Sequence, residues 1–241
     1  MMVLNALTPL LDYVLILSPV LCLFAAWFWI TPCSMMGLRV AILLTAFMFT
    51  RDLMTPCGLW MVGGKPALQF HASVWILALL GLASILLITC LARLAPALWR
   101  LVTGFKGNRA CGLAIGMAAG CAIGIPIRIY QGIESPPLPW MLGFVVFAFA
   151  GNALEEVLFR GMLQGLLERV TSAQRAALGS AIAFSACHAC LAFILTQVGW
   201  PIMLFTLVEG LVCAQVRLWW GTVPAVVTHG TAIALLGAPM G

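Results

Sequence analysis

Long apolar segments dominate this sequence and restrict what the chain can fold into. A membrane-crossing helix needs about 20 mostly apolar residues, and about eight such segments are separated by turn sequences such as TPCSMMG and ESPPLP. Only 8% of the residues are charged, whereas soluble domains carry about a quarter. The chain is therefore predicted to be an all-α polytopic membrane protein with about eight transmembrane helices.

The predicted spans follow one another without a linker long enough to separate two domains, so residues 1–241 are interpreted as a single integral membrane domain. No basic segment or small-residue cleavage site accompanies the first span, which is expected to be retained. The predicted spans are Leu10–Ile30, Met36–Met54, Ala72–Leu94, Ala110–Tyr130, Trp140–Leu167, Gln174–Thr196, Pro201–Trp219 and Thr222–Ala238.

Basic residues occupy alternate connections between these spans and predict the orientation of the chain. Positively charged loops remain on the cytoplasmic side of a membrane, so both termini are expected on the non-cytoplasmic side. The net charge of +5 is too dispersed to indicate a nucleic-acid partner. The basic residues that set this orientation are Arg93, Arg100, Lys106, Arg109, Arg169, Arg175 and Arg217.

The fifth span contains three ionisable residues, Glu155, Glu156 and Arg160. Each such residue costs about 2.5–3.5 kcal/mol at the centre of a span, and usually faces a cavity or a partner. Glu156 and Arg160 are four residues apart and are predicted to form an ion pair. Glu155 is turned about 100° from Glu156 around the helix axis, which leaves it free for another role.

Two histidines lie at a similar predicted depth in other spans. His188 lies in the sixth span on the same face as Phe184, and His229 lies in the eighth. Glu209, in the seventh span, is a candidate to line the same cavity. Because isolated titratable groups are expensive in a membrane, Glu155, His188 and His229 are predicted to meet in one cluster.

Other polar or small residues have simpler interpretations. Arg51 and Asp52 end the second span, where their side chains are expected to reach water at the outer surface. The fourth span repeats glycine every four residues, a spacing that predicts close helix packing. These glycines are Gly112, Gly116, Gly120 and Gly124.

Three motifs in this order resemble the CPBP family of glutamic intramembrane proteases. They are Glu-Glu-x-x-x-Arg at residues 155–160, Phe-x-x-x-His at 184–188, and a later membrane histidine at 229. The family includes the CAAX prenyl endopeptidase and bacterial Abi and bacteriocin-processing proteins. The resemblance covers about residues 140–238, the core of the domain, and implies an Rce1/Abi-like bundle.

The resemblance implies roles for the clustered residues. Glu155 is the general base that activates water, His188 helps to hold that water, and His229 donates a hydrogen bond to the oxyanion. The supporting residues are Glu156, Arg160 and Phe184. The implied enzyme needs no cofactor beyond water and cleaves a membrane-associated protein or peptide, at a leader or a carboxy-terminal processing segment. Its partners are this substrate and the lipid bilayer, and its expected location is a prokaryotic plasma membrane.

One position departs from the family pattern. The family has asparagine four residues after the last histidine, whereas this chain has Ile233, which donates no hydrogen bond. Loss of one oxyanion donor can lower the rate about 10²–10³-fold. Thr231, Thr228 and Asn152 are alternative donors. A catalytically weak or inactive member of the family, with an immunity or scaffolding role, is therefore the alternative function.

A metal-dependent protease and a transporter are two further alternatives. Cys187, His188 and Cys190, together with His229 and Glu155, offer ligands for zinc. However, neighbouring residues on a helix point about 100° apart, and neither HExxH nor paired CxxC motifs occur. A transporter is expected to have two similar halves, whereas the polar residues here are concentrated in the second half. No pattern in the sequence indicates the oligomeric state.

Overall fold

The computed structural model describes residues 2–62 and 68–240 and consists mainly of helices. Helix α6 continues directly into a π-helical segment, named π1 here, and a second π-helical segment, π2, follows the turn after α8. The helical elements are α1 Met2–Ile30, α2 Met36–Leu53, α3 Val74–Leu94, α4 Pro96–Trp99, α5 Arg109–Gln131, α6 Leu138–Glu156, π1 Val157–Leu163, α7 Gln164–Leu167, α8 Ala173–Ala186, π2 Leu191–Leu195, α9 Trp200–Trp220 and α10 Thr222–Leu236.

The all-α polytopic membrane fold predicted from the apolar segments is confirmed. Within the described residues, six helical segments are long and apolar enough to cross a membrane. Two of the predicted eight spans do not meet that measure. Helix α2 carries three charged residues, and α10 has only 15 residues, so the count of eight stays a prediction. The six segments are Leu7–Ile30, Val74–Leu94, Arg109–Gln131, Leu138–Leu167, Ala173–Leu195 and Trp200–Trp220.

The outward faces of the long helices are apolar, as a lipid-facing surface requires. Large hydrophobic side chains that a soluble protein would bury are exposed here. Examples are Leu15 on α1, Trp75 on α3 and Ile129 on α5. Several polar and charged residues, by contrast, are buried between helices, and Glu156 and Arg160 are fully enclosed. This inverted distribution follows from a hydrocarbon solvent, which accepts apolar side chains and offers no partner to polar ones.

The glycine repeat of α5 packs against α10, as the spacing predicted. All four glycines are buried, and α10 also contacts α6 and α9. A Cβ atom built on Gly116 would lie 2.5 Å from the carbonyl oxygen of Pro224, and one on Gly120 would lie 2.5 Å from that of Thr228. The backbones of α5 and α10 therefore approach too closely for any larger residue, and this contact fixes the helix that carries His229.

Replacement of Gly120 by alanine is expected to destabilise the protein by about 1–3 kcal/mol, because the new methyl group would force α10 away from α5. The measurement is the free energy of unfolding in mixed micelles. Gly37→Ala is the matched control, because a Cβ atom at Gly37 meets no atom within 4 Å. Equal stability of the two variants would contradict the tight helix contact.

A small sheet, which the sequence did not predict, joins the end of the chain to the connection between α2 and α3. Strand β1, Trp60–Val62, pairs antiparallel with β2, Leu68–Phe70, and β2 pairs in parallel with β3, Gly237–Pro239. The predicted eighth span ran to Ala238, but α10 ends at Leu236 because the next residues form β3. The sheet ties α10 to β2 beside α3, and Trp60 and Phe70 form part of a cavity wall.

The two helices that carry the motifs are irregular where the motif residues lie. Helix α6 continues into π1 directly after Glu156, and Arg160 belongs to π1. Helix α8 ends at Ala186, just before His188, and the chain resumes in π2 at Leu191. Single π-helical segments occur frequently at functional sites. The freed backbone groups find partners, since Ser180 Oγ donates to the carbonyl of Phe159 at 2.9 Å.

Candidate active site

A cavity of about 510 Å³ lies between the helices, and most of its wall is apolar. Helices α1 and α3 contribute much of that hydrocarbon, including Leu17 and Leu80. The polar side chains come from four helices and from the turn after α8, so the fold gathers residues that are distant in sequence. The charged and amide side chains that line the cavity are Arg51, Asn152, Glu155, His188, Glu209 and His229.

Glu155 and His188 line this cavity together, and each has an unused acceptor. The Oε2 atom of Glu155 is buried and has no hydrogen-bond partner. The Nδ1 atom of His188 lies 2.7 Å from the carbonyl oxygen of Phe184. A carbonyl only accepts, so Nδ1 carries the proton. Neutral His188 therefore has its lone pair on Nε2, the atom left to accept a hydrogen bond from a water molecule.

Glu156 forms the predicted ion pair and also contacts a histidine. Its Oε1 atom lies 3.2 Å from Arg160 Nη1 and 2.9 Å from His229 Nδ1. Arg160 Nη2 donates to the carbonyl of Gly210 at 3.4 Å, which connects π1 to α9. Glu156 therefore contacts His229 and orients its imidazole. The resemblance had implied instead that Glu156 supports the base, Glu155.

His229 lies between two carboxylates. Its Nδ1 contacts Glu156, and its Nε2 lies 3.4 Å from Glu209 Oε2. Glu209 is buried, and its other carboxylate oxygen has no hydrogen-bond partner. The long Nε2 contact is the weaker of the two, so a stronger acceptor in the cavity can replace Glu209 there. The structure brings Glu209 to the cavity, where the sequence offered it as a candidate.

Phe184 packs against three polar side chains of the site. Its ring lies with its centroid 4.6 Å from that of His188 and 5.7 Å from that of His229. The guanidinium carbon of Arg160 lies 4.2 Å from the Phe184 ring centroid, a cation–π contact. The carbonyl oxygen of the same residue fixes the proton of His188. Phe184 therefore positions three polar side chains while being fully buried itself.

The candidate oxyanion donors occupy different environments. Asn152 lines the cavity, and its Nδ2 atom is buried without a hydrogen-bond partner. Thr231 instead contacts the sulfur of Met117 on α5, and Thr228 donates to the carbonyl of Pro224 within its own helix. Ile233 lines the cavity wall. Of the three alternatives, only Asn152 offers an unused donor at the cavity, and Thr231 points to the α5 interface because of the close glycine packing.

The ligands suggested for zinc do not come together as a set. Within the described residues, the one group with metal-ligand spacing consists of Glu156, Cys213 and His229. Of the five suggested ligands, only His229 belongs to it. The Glu156 carboxylate that would bind an ion already contacts the guanidinium of Arg160. A cation bound there would face a fixed positive charge, so the donor set does not fit a metal site well.

Arg51 and Asp52 lie inside the protein, and the expectation that they reach water at the outer surface is wrong. Each residue is only 8% exposed, and the two form an ion pair with a shortest contact of 2.5 Å. Arg51 also reaches the carbonyl of Cys187, beside His188. The feature of the sequence that indicates this burial is the opposite charge of two adjacent residues. The two charges neutralise each other, which permits burial.

The comparisons with known proteins identify one family. Residues 136–235 match the family model described as type II CAAX prenyl endopeptidase Rce1-like. No curated protein and no solved structure matches the chain. The matched segment contains Glu155, His188, Glu209 and His229, and the family predicted from the three motifs is confirmed.

Proposed function

We propose that this chain, which belongs to the CPBP family through its Rce1-like domain at residues 136–235, is an intramembrane endopeptidase that uses a glutamate-activated water molecule. The family is one of proteases, and the chain is an integral membrane protein. What the proposal adds is the mechanism, the catalytic residues and the kind of substrate.

The observation that carries the proposal is the meeting of Glu155, His188 and His229 at one cavity. They come from α6, from the break after α8 and from α10, and all three line the same space. A structural brace would use its polar atoms on neighbouring helices, as Glu156 does with His229 on α10 and Arg160 does with the carbonyl of Gly210 on α9. Glu155, by contrast, takes part in none of the ion pairs of the described residues, and its buried Oε2 atom has no hydrogen-bond partner, as expected of a group that awaits water.

The proposed reaction begins with a water molecule held between Glu155 and His188. Glu155 takes one proton from the water while the water oxygen bonds to the scissile carbonyl carbon. The carbonyl oxygen becomes an oxyanion. When that intermediate collapses, the carbon–nitrogen bond breaks, and the proton held by Glu155 passes to the leaving nitrogen. The products are a carboxylic acid and an amine, and no redox or metal step is required.

Two donors at the cavity are proposed to stabilise the oxyanion. His229 donates from Nε2 once the oxyanion replaces Glu209 as the acceptor, while Glu156 keeps hold of Nδ1. Asn152 supplies the second donor through its unused Nδ2 atom, in place of the family asparagine. A donor already aimed at developing charge stabilises a transition state strongly in a water-poor site.

The proposed substrate is a membrane-associated protein or peptide, cleaved at a leader or a carboxy-terminal processing segment. The largely apolar wall between α1 and α3 supports a substrate that is itself embedded in lipid. The proposed location is a prokaryotic plasma membrane, with both termini on the non-cytoplasmic side. Nucleic acid is not among the proposed partners.

The experiment is a proteomic comparison of strains that carry the wild-type chain or the Glu155→Gln variant. We expect a membrane-associated protein in the variant strain to retain a segment that is absent from it in the wild-type strain. A strain that carries Glu134→Gln is the control, because Glu134 is an exposed loop residue. Identical proteomes in the wild-type and Glu155→Gln strains would contradict the proposal.

A weak or inactive protein with an immunity or scaffolding role is the second candidate, and Ile233 favours it. The side chain of Ile233 lines the cavity but offers no hydrogen bond where the family has asparagine. Such a protein would perform its role equally well with Glu155→Gln. The proteomic comparison, combined with an assay of that role, therefore separates the two candidates.

A further inference from the structure

Arg51 and Asp52 of α2 form a buried ion pair that lies outside the segment matched to the protease family. The Nε and Nη2 atoms of Arg51 both donate to Asp52 Oδ1, at 2.9 and 2.5 Å. Taking two charges out of water is costly, and their mutual attraction compensates only when further hydrogen bonds use the remaining polar atoms. The contacts that Arg51 and Asp52 make with the rest of the protein therefore indicate the role of the ion pair.

Both members of the pair bind the short segment that carries His188. Arg51 Nη2 donates to the main-chain carbonyl of Cys187 at 2.5 Å. The thiol of Cys190 lies close enough to Asp52 to interact electrostatically with its carboxylate. These contacts flank His188 on its two sides along the chain. They also give a role to Cys187 and Cys190, which the sequence offered as metal ligands.

The segment needs such external partners because its backbone is irregular. Helix α8 ends at Ala186, Cys187 and His188 form a turn, and the chain is helical again from Ala189 before π2 begins at Leu191. The amide of His188 donates to the carbonyl of Ser185 at 2.9 Å, a tighter turn than that of an α-helix. The regular helical hydrogen-bond pattern is therefore interrupted at His188, and the contact from Arg51 is an additional restraint on this turn.

We infer that Arg51, held by Asp52, is a positioning residue that keeps the His188 imidazole at the catalytic cavity. Arg51, Glu155 and His188 all line that cavity. The peptide group before His188 is fixed by Arg51, and the ring is fixed through Nδ1 by the carbonyl of Phe184. These two restraints leave Nε2 as the free ring atom. The inference rests on the proposed function, in which His188 holds the attacking water.

The first test is the kinetics of purified Arg51→Ala on the substrate that the proteomic comparison identifies. A misplacement of about 1 Å in a catalytic group can cost about 10²-fold in rate, and we expect a loss of that size in kcat with little change in KM. Arg51→Lys restores a single donor and is expected to recover part of kcat. If Arg51→Ala folds poorly, Asp52→Asn loosens the same guanidinium without removing it and is expected to lower kcat to a smaller degree.

Arg39→Ala is the matched control for these variants. Arg39 lies on the same helix and is also buried, but it contacts Cys33 and the ring of Phe28 and does not line the cavity. Its removal is expected to lower stability and to leave the kcat of the folded protein unchanged. A loss of kcat in Arg39→Ala equal to that in Arg51→Ala would overturn the inference.

A second readout does not depend on activity. The chain has three histidines, so nuclear magnetic resonance of protein with nitrogen-labelled histidine resolves the tautomer of His188. We expect a fixed Nδ1–H form in the wild type and a mixture of tautomers in Arg51→Ala. If the wild type shows no Glu155-dependent hydrolysis but this change occurs, the positioning contact stands and the proposed function fails. Unchanged kcat together with an unchanged His188 signal overturns the positioning role and leaves the proposed function intact.

Discussion

Replacement of Glu155 by glutamine is expected to lower the rate of peptide hydrolysis by about 10²–10⁴-fold, the range that general-base catalysis contributes. Glutamine has nearly the same shape as glutamate, but it cannot take a proton from water. Substrate binding is expected to depend mainly on the apolar wall of the cavity, so KM is expected to change little. The measurement is single-turnover cleavage by the purified protein in nanodiscs.

The same variant is expected to be at least as stable as the wild type. Glu155 Oε2 is buried without a hydrogen-bond partner, and an unsatisfied buried polar atom costs about 1–3 kcal/mol. A catalytic group can be retained although it lowers the stability of the protein. Replacement of such a group is expected to abolish activity without unfolding the protein. If Glu155 were a structural brace, Glu155→Gln would instead lower the melting temperature.

Two other glutamates, Glu156 and Glu134, provide comparisons for Glu155→Gln. Glu156→Gln is expected to reduce both stability and activity, because Glu156 contacts Arg160 and His229 at once. Glu134→Gln, in an exposed loop, is expected to change neither. Hydrolysis at the wild-type rate in Glu155→Gln would remove Glu155 as the base, whatever the other two variants do.

The sequence predicted the helices well because hydrophobic length is a local property. The predicted span Met36–Met54 differs by one residue from α2, and Ala72–Leu94 differs by two from α3. The strands could not be predicted in the same way. Gly237–Pro239 has little intrinsic preference for a strand and forms one only because β2, distant in sequence, lies beside it.

The site was predictable only where helical spacing determines the geometry. Glu156 and Arg160 lie four residues apart on one helix, so their ion pair followed directly. The contact between His229 and Glu209 depends on how α9 and α10 are rotated against each other, which no local pattern specifies. The break before His188 occurs in residues that are compatible with a helix, and the pair formed by Arg51 and Asp52 stabilises it from another helix.

Replacement of Arg160 by methionine is expected to destabilise the protein by about 3–5 kcal/mol, the usual effect of removing one partner from a buried ion pair. Arg160 is fully buried, and methionine would retain much of its packing on Phe184 while losing the contacts to Glu156 and Gly210. The measurement is the free energy of unfolding in mixed micelles. Arg175→Met, at an exposed position near the start of α8, is the control and is expected to change stability by less than about 0.5 kcal/mol.

The double variant Glu156→Gln, Arg160→Met separates the cost of an uncompensated charge from the cost of the other contacts that Arg160→Met removes, such as the one to the carbonyl of Gly210. If the cost of Arg160→Met is mainly the buried carboxylate that it leaves behind, removing that charge is expected to recover a large part of the lost stability. Activity is not expected to recover, because His229 Nδ1 would then contact a neutral amide instead of the carboxylate that orients it. A double variant that is as unstable as the sum of the two single variants would show that the unpaired Glu156 carboxylate is not the main reason why Arg160→Met is unstable.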